Sequence, residues 1–293
     1  MSYSGIKKLL IWAIPLMALM ACNKSEDVVV KNNVPPDDHT IDSTTIEIYV
    51  NKAYINLLGR EPVGNEKQNG ITFLKQGDFS KARRGEFVEQ FFGSTEYKRN
   101  LYNIARNELL RNLDSMEVVG QIALFQNLLT QPQYAPFYDL INAELARLYE
   151  YQNCMNDLLA GTLDYRGMLK RCVNNYFYDQ INMGTENFVV STYQNFLYRY
   201  PTDAELLAGK TMVDGAVAIV FLQQGKTKGD YITIFFNSAD FYEGQVRYLF
   251  TKYLFREPSS AEIAFYAALY QNSNSYQDLQ KEVFSLDEYA GIH

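Results

Sequence analysis

The stretch Tyr193-Gln194-Asn195-Phe196-Leu197-Tyr198-Arg199-Tyr200-Pro201, followed by Glu205, occurs in related form at two other places in the chain. Residues 54–62 with Glu66, and residues 250–258 with Glu262, repeat its pattern. In each copy an aromatic residue lies eight positions before the proline, leucine four before, arginine two before and glutamate four after. Five matching positions in register across three segments indicate that one structural unit is repeated.

Each copy predicts a helix that ends at its proline and a second helix that begins directly after it. Apolar residues before the proline recur at helical spacing, as do Tyr49, Ala53 and Leu57 in the first copy. Proline disfavours the α region for the residue that precedes it. Thr202-x-x-Glu205 and Ser259-x-x-Glu262 then predict capping boxes.

The first copy departs from this capping pattern. It has Val63 where the other copies have a hydroxyl residue. Because valine has no side-chain oxygen to accept a backbone N–H, we expect Gly64 or Asn65 to cap the second helix there.

A second signature closes each unit. Phe91-Phe92-Gly93-Ser94-Thr95-Glu96-Tyr97 matches residues 235–241, and residues 283–289 repeat its aromatic and acidic frame with the serine shifted by one. Serine accepts backbone N–H groups well at a helix start. We therefore predict that Ser94 and Ser238 cap the helices that open the following units.

A fourth, degenerate copy has Arg111 and Glu117 in place, with Leu113 where the proline should be. Asp114-x-x-Glu117 predicts its capping box. Its closing signature is residues 173–178, and 65 positions separate Leu113 from the end of that signature, against 31 to 40 in the other copies. This copy therefore carries an insertion of roughly 25 to 30 residues.

These patterns predict an all-α fold, a tandem array of about four helical units packed as one elongated or globular domain. A signal peptide and a flexible tether precede the array. The predicted boundaries are 1–21 for the signal peptide, 22–45 for the tether, 46–98 for repeat 1, 99–180 for degenerate repeat 2 with its insertion, 181–242 for repeat 3 and 243–293 for repeat 4.

The first residues predict export. Lys7 and Lys8 precede an apolar run from Leu9 to Ala21, which is too short to span a bilayer but suits a secretory signal. Leu19-Met20-Ala21-Cys22 resembles the lipobox of bacterial lipoproteins. This resemblance implies cleavage before Cys22 and lipidation of its thiol, so the chain would meet the membrane through its N-terminal lipid. An ordinary signal peptide with a chance cysteine is the alternative.

The segment after the cysteine predicts the final location. Lys24-Ser25-Glu26-Asp27 resembles the acidic export signal of Bacteroidota-type surface lipoproteins. That resemblance implies an outer-membrane lipoprotein facing the cell surface, with the periplasmic leaflet as the alternative. The following residues include Val34-Pro35-Pro36-Asp37-Asp38 and have no helical period, which is typical of a flexible tether.

Composition excludes several classes of function. The chain has 27 basic and 34 acidic residues, and loss of Lys7 and Lys8 with the signal takes its net charge from −7 to −9, which argues against nucleic acid. The only histidines, His39 and His293, lie in the tether and at the end. Imidazole-based catalysis and zinc sites therefore lack their usual residue. We expect no enzyme, metal or cofactor, although a carboxylate pair in a cleft remains a catalytic alternative.

Two cysteines lie in the predicted array, Cys154 and Cys172, 18 positions apart in a helical stretch. In an oxidising compartment they could form a disulfide between two antiparallel helices. Two buried free thiols are the alternative.

The arginine and glutamate of each copy have two interpretations. In the first, the arginine bonds the carbonyls that end its helix and pairs with the glutamate of its own copy. In the second, the arginines form a row that binds an anionic partner. Their fixed spacing from a cap favours the structural interpretation for Arg60 with Glu66, Arg111 with Glu117, Arg199 with Glu205, and Arg256 with Glu262.

The insertion contains Gln131-Pro132-Gln133-Tyr134-Ala135-Pro136-Phe137-Tyr138. Insertions in a repeat array usually project from one face. Aromatic residues on a rigid turn suit an interface anchor, which makes Tyr134, Phe137 and Tyr138 candidate contact residues. Packing of this turn back onto the array is the alternative.

The first copy also resembles a known family. Leu57-Leu58-Gly59-Arg60-Glu61-Pro62, Gly77-Asp78-Phe79-Ser80 and the closing signature are similar to the uncharacterised helical repeat of secreted and S-layer-associated bacterial proteins, which is itself similar to phycobilisome linker domains. The resemblance covers residues 46–98 well, 188–293 more loosely and 99–187 poorly. It implies an all-α module with assembly or adhesion roles and no catalytic residues.

The sequence therefore favours a surface-anchored, non-catalytic interaction or assembly lipoprotein that binds a protein or another cell-surface partner. The alternative is a glycan-binding accessory lipoprotein of an outer-membrane nutrient-uptake system. The 23 tyrosines permit sugar stacking, but the only tryptophan, Trp12, lies in the signal.

Overall fold

The computed structural model describes residues 41–292, and that part of the chain is all-α apart from one short β-hairpin. The predicted fold class is confirmed. The signal peptide, Cys22 and most of the tether lie outside the described residues. Among residues 41–292, no helix combines the length and the apolar character that crossing a bilayer requires.

The first unit shows the basic arrangement of three helices, α1 (Ser43–Leu58), α2 (Glu66–Lys75) and α3 (Lys81–Phe92). Helix α1 begins three residues before the predicted boundary because Asp42 caps it, accepting a hydrogen bond from the Thr44 N–H at 3.2 Å. It ends before the proline, as predicted, with Gly59 in the left-handed region. Asn65 occupies the cap of α2 without a side-chain bond, and the Val63 N–H donates to Glu66 at 2.7 Å instead.

The second unit contains the predicted insertion. Its elements are α4 (Thr95–Leu110), α5 (Ser115–Leu128), a 3₁₀ turn (Pro132–Phe137), α6 (Tyr138–Gln152), α7 (Cys154–Ala160) and α8 (Tyr165–Val173). The 3₁₀ turn, α6 and α7 have no counterpart in the first unit. Ser94 caps α4, accepting from the Tyr97 N–H at 3.1 Å, so the serine of the closing signature opens the next unit as predicted.

The third unit contains the hairpin, which was not predicted. Its elements are α9 (Tyr176–Ile181), α10 (Thr185–Leu197), α11 (Asp203–Val213), β1 (Ala218–Val220), β2 (Gln223–Gly225) and α12 (Lys228–Asn237). The two strands pair antiparallel, with Ile219 opposite Gln224. Phe221 and Leu222 form the turn with positive φ angles of 46° and 63°.

The fourth unit ends the array with α13 (Ala239–Leu249), a π-helical turn (Phe250–Leu254), α14 (Ser260–Ser273), α15 (Tyr276–Phe284) and α16 (Asp287–Ala290). Ser238 caps α13, accepting from the Phe241 N–H at 3.1 Å. The capping boxes predicted at Thr202 and Ser259 are both present.

The first and last units pack against each other and close the array. The Tyr49 hydroxyl donates to the Phe284 carbonyl at 3.1 Å, and the Lys52 Nζ donates to the Tyr289 carbonyl at 2.6 Å. The buried guanidinium of Arg84 pairs with Asp287. One continuous hydrophobic core joins all four units. The array is therefore globular, the second of the two predicted shapes.

Candidate functional site

The repeat arginine lies at a junction of two carboxylates and an aromatic ring. In the third unit, Arg199 donates to both carboxylate oxygens of Glu205 at 2.8 and 2.7 Å. Its Nη2 also donates to Asp240 at 2.8 Å. The guanidinium lies 5.0 Å from the centre of the Tyr193 ring, the aromatic residue eight positions before the proline. All the polar and aromatic positions of the repeated pattern therefore meet at one point.

The same junction occurs in two more units. In the first unit, Arg60 binds Glu66 of its own copy and Glu96 of the closing signature, and it lies over the Tyr54 ring. In the fourth unit, Arg256 binds Glu262 and Glu288 in the same way and lies over the Phe250 ring. The acids of the closing signature were not predicted as partners. Their fixed place directly before an aromatic residue was the signal that could have identified them.

These ion pairs change the acidity of the glutamates. Hydrogen bonds from Arg199 lower the pKa of Glu205 to about 2, against the opposing effect of burial, and the Thr202 N–H adds to the lowering. Arg256 likewise lowers the pKa of Glu262 to about 2. Each guanidinium already binds two carboxylates. The geometry therefore agrees with the structural interpretation and gives no support to a row of arginines that binds an anionic partner.

The degenerate unit lacks this junction. Arg111 occupies the left-handed position at the end of α4, and no ion pair within residues 41–292 joins it to Glu117, so the predicted pair is wrong. The ring position holds Ala105 and the second acid position holds Phe177, which removes two of the groups that orient the guanidinium. Asp114 caps α5 through the N–H two residues ahead, so the predicted capping box is incomplete.

The cysteines of the array do not form the disulfide that the sequence left possible. Cys154 and Cys172 are fully buried free thiols, which was the alternative. Burial raises the pKa of the Cys154 thiol to about 12, with a smaller opposing effect of Arg171. The reactive thiolate is therefore disfavoured at this site.

The 3₁₀ turn of the insertion is exposed, whereas Tyr138, which follows it, packs against the hydrophobic core. The Phe137 side chain is 55% exposed, and Tyr134 is also exposed. Tyr138 is half-buried, and its hydroxyl donates to the Gln131 carbonyl at 3.0 Å. The predicted interface residues thus lie together at the tip between α5 and α6, with Tyr138 partly committed to holding the turn.

The insertion also exposes apolar side chains in and beside a stretch without charged residues. Residues 118–138 contain no Asp, Glu, Lys, Arg or His, in a chain of which 21% of the residues are charged. Helices α5 and α6 bury their inner sides against each other and the core. Their outer apolar side chains, together with Phe137, form what we call the insertion surface, which consists of Met116, Val119, Leu124, Phe137 and Leu140.

A groove of about 430 Å³ opens on another part of the molecule, between α4, α10 and the end of α13. It is lined by Glu108, Leu109, Gln194, Asn195, Tyr198, Tyr248, Thr251 and Lys252. Sequence analysis did not identify this groove, because its residues come from three different units and no single stretch contains them.

Within residues 41–292, no three His, Cys, Asp or Glu side chains converge as ligands for a metal ion. Comparison with protein-family models, with curated proteins and with solved structures gives no match to this chain. The resemblance of the first unit to the linker-like helical repeat therefore stays a prediction that rests on the quoted motifs.

Proposed function

We propose that this protein is a non-catalytic interaction lipoprotein, held at the outer membrane by lipid on Cys22 and displayed at the cell surface, which binds another protein through the insertion surface. The observation that carries the proposal is the combination of exposed apolar side chains with the absence of charge over residues 118–138. The centres of protein interfaces are depleted of charged residues and enriched in aromatic residues and methionine.

Covering this surface would be favourable. Complete burial of a fully exposed aliphatic or aromatic side chain contributes about 1.5–3 kcal/mol, and the side chains here are 44% to 72% exposed. Helix α5 buries Val118 and Ile122 while exposing Met116 and Leu124, so apolar side chains occupy both of its sides. The exposed side of α5 also carries Glu117, Gln126 and Asn127, so a partner there would cover apolar side chains within a polar rim.

The turn is suited to binding because its backbone is already constrained, so binding costs little conformational entropy. Pro132 and Pro136 fix φ at two positions of the 3₁₀ turn. The bond from the Tyr138 hydroxyl to the Gln131 carbonyl closes its two ends. A preorganised turn loses less conformational entropy on binding than a flexible loop would.

The N-terminal segment supports the location. The lipobox-like Leu19-Met20-Ala21-Cys22 and the acidic Lys24-Ser25-Glu26-Asp27 are the features that favour lipidation and surface display. Replacing Cys22 by Ala should release the protein from membranes, because a single acylated cysteine is its proposed anchor. Retention of the Cys22→Ala protein in salt-washed membranes would contradict the anchor.

Partner binding is tested by cross-linking on intact cells, followed by quantitative mass spectrometry of the recovered complexes. Leu124→Asn places an amide on the insertion surface, and Leu207→Asn makes the same change at an exposed leucine on α11. We expect Leu124→Asn to deplete specific proteins from the complexes and Leu207→Asn to recover them as wild type does. Equal recovery from both variants would overturn the assignment of the insertion surface.

A further inference from the structure

We propose that the groove between α4, α10 and α13 binds a neutral oligosaccharide, an activity that goes beyond the protein binding proposed above. Its volume of about 430 Å³ lies within the usual range for ligand sites, about 300–1,000 Å³. Its lining combines exposed aromatic surface with amide, hydroxyl, carboxylate and ammonium groups. A pyranose ring has apolar C–H faces, which suit aromatic rings, and a rim of hydroxyl groups, which suit polar side chains. The lining therefore matches both kinds of sugar surface.

The charged groups of the groove neutralise each other. The Lys252 Nζ donates to Glu108 at 2.8 Å, and the Tyr248 hydroxyl donates to both oxygens of the same carboxylate at 3.2 Å. An ionic ligand would have to compete with this partly exposed pair, in which each charge already has a partner. A neutral ligand leaves it intact and can bond to the remaining lone pairs of Glu108 and the remaining N–H of Lys252. The pair therefore favours a neutral polar ligand.

An exposed aromatic ring lines the groove. The Tyr198 side chain is 43% exposed, and its ring is nearly parallel to that of Tyr248, with an angle of 22° and 6.0 Å between the ring centres. Tyr198 adopts a left-handed conformation with φ of 57°. Bulky residues rarely occupy this region, and the first unit has Gly59 at the same position. Phe255 has the same conformation at the equivalent position of the fourth unit, so the left-handed backbone belongs to the repeat and glycine suits this position.

Polar groups that suit sugar hydroxyls surround this ring. The Asn195 Nδ2 donates to the Tyr178 hydroxyl at 3.0 Å, which fixes the orientation of the amide. Thr251 and Lys252 both belong to the π-helical turn that ends α13. Turns of this kind are rare within helices and are often found at functional sites. Amide and hydroxyl side chains both donate and accept, as the vicinal hydroxyl groups of a sugar do.

The test uses the full mature chain in detergent and a panel of neutral hexasaccharides, namely malto-, cello-, xylo-, manno- and laminarihexaose. Binding is measured by isothermal titration calorimetry and by saturation-transfer NMR. Tyr198→Gly removes the ring and suits the left-handed backbone, so the fold should be retained. Tyr200→Ala removes a tyrosine that is 71% exposed and outside the groove. We expect at least one hexasaccharide to bind wild type and Tyr200→Ala equally, and to bind Tyr198→Gly about tenfold or more weakly.

Two results would overturn the proposal. They are the failure of every hexasaccharide to bind, and equal binding by Tyr198→Gly and wild type. Circular dichroism of each variant confirms its folding. Leu124→Asn should bind sugar as wild type does, so failure of the insertion surface and failure of the groove are separate outcomes.

Discussion

Arg256 and Glu288 are joined by two parallel hydrogen bonds, from Nε to Oε1 and from Nη2 to Oε2, each 2.8 Å long. The two residues are 32 positions apart in the chain. The arginine lies two residues after the π-helical turn of the fourth unit, and the glutamate lies in the short helix that closes the array. This bidentate pair therefore fixes the distance between the start and the end of a unit, and the equivalent pairs do so in two other units.

The arginine junction should contribute to stability. Arg199→Ala removes the partner of two carboxylates and exposes part of the Tyr193 ring, so we expect a loss of about 1–2 kcal/mol, limited by the partial exposure of the ion pairs. Arg111→Ala is the matched control, because the degenerate unit lacks the junction, and it should change stability by less than about 0.5 kcal/mol. Urea unfolding followed by circular dichroism measures both. Equal losses would show that the junction contributes nothing specific.

The same junction predicts the response to acid. The folded-state pKa values of Glu205 and Glu262 are about 2, below the ordinary value of 4.5. A depressed folded pKa gives stability that is fully present above the unfolded value and is lost as the pH falls from 4.5 towards 2. Glu205→Gln should therefore flatten the loss of stability in that window. In an Arg199→Ala background the same change should have little effect, and unfolding curves at several pH values in both backgrounds test this coupling.

Helices α10 and α13 cross closely at a glycine. A Cβ added to Gly244 would lie 1.8 Å from the carbonyl oxygen of Phe196, a backbone atom that cannot move away alone. Gly244→Ala should therefore destabilise the protein by about 3 kcal/mol or more. Gly120→Ala is the control, because a Cβ there meets no atom within 4 Å, and it should stabilise α5 by about 0.5–1 kcal/mol. A mild effect of Gly244→Ala on the thermal midpoint would contradict the close crossing.

The helix ends before the prolines differ in strain. Phe255 has a φ of 56° and is 86% exposed, whereas the first unit has Gly59 at this position. Phe255→Gly should stabilise the protein by up to about 1 kcal/mol, since glycine adopts the left-handed region without a Cβ clash. Gly59→Ala should destabilise it, because φ is 73° and the new Cβ would lie 2.6 Å from the Asn100 side-chain oxygen. The thermal midpoints of the two variants should shift in opposite directions. A shift in the same direction would contradict the strain that we assign to the left-handed positions at these helix ends.

The sequence allowed prediction of the features that depend on local pattern. Helix ends at the prolines and caps such as Ser94 and Thr202 follow from chemistry within a few residues, so they could be predicted. The hairpin could not, because Phe221 and Leu222 form its turn in place of the glycine or asparagine that normally signals positive φ. Closure of the array could not be predicted either. It rests on contacts such as Arg84 with Asp287, whose separation of 203 positions leaves no periodic signal.

The candidate sites also differ in whether a single stretch of sequence contains them. The tip residues Phe137 and Tyr134 could be identified because a short proline-rich stretch contains them. The groove could not, because Glu108, Tyr198 and Lys252 come from three separate helices. Their proximity depends on how those helices pack, and single-sequence patterns carry no information about such packing.

Replacing residues 131–138 by a Gly/Ser linker of equal length tests the role of the insertion tip. Tyr134 and Phe137 are exposed, and the bond from the Tyr138 hydroxyl to the Gln131 carbonyl lies within the replaced segment, so the packing of Tyr138 is the main contact with the core that is lost. We expect the thermal midpoint to fall by only a few degrees, about 1 kcal/mol for a domain of this size. Capture of the partner should weaken strongly, because both the aromatic anchors and the preorganised turn are removed. Differential scanning calorimetry and the cell-surface cross-linking assay measure the two effects on the same protein. A large loss of stability with capture retained would show that the turn belongs to the core and that the partner binds elsewhere.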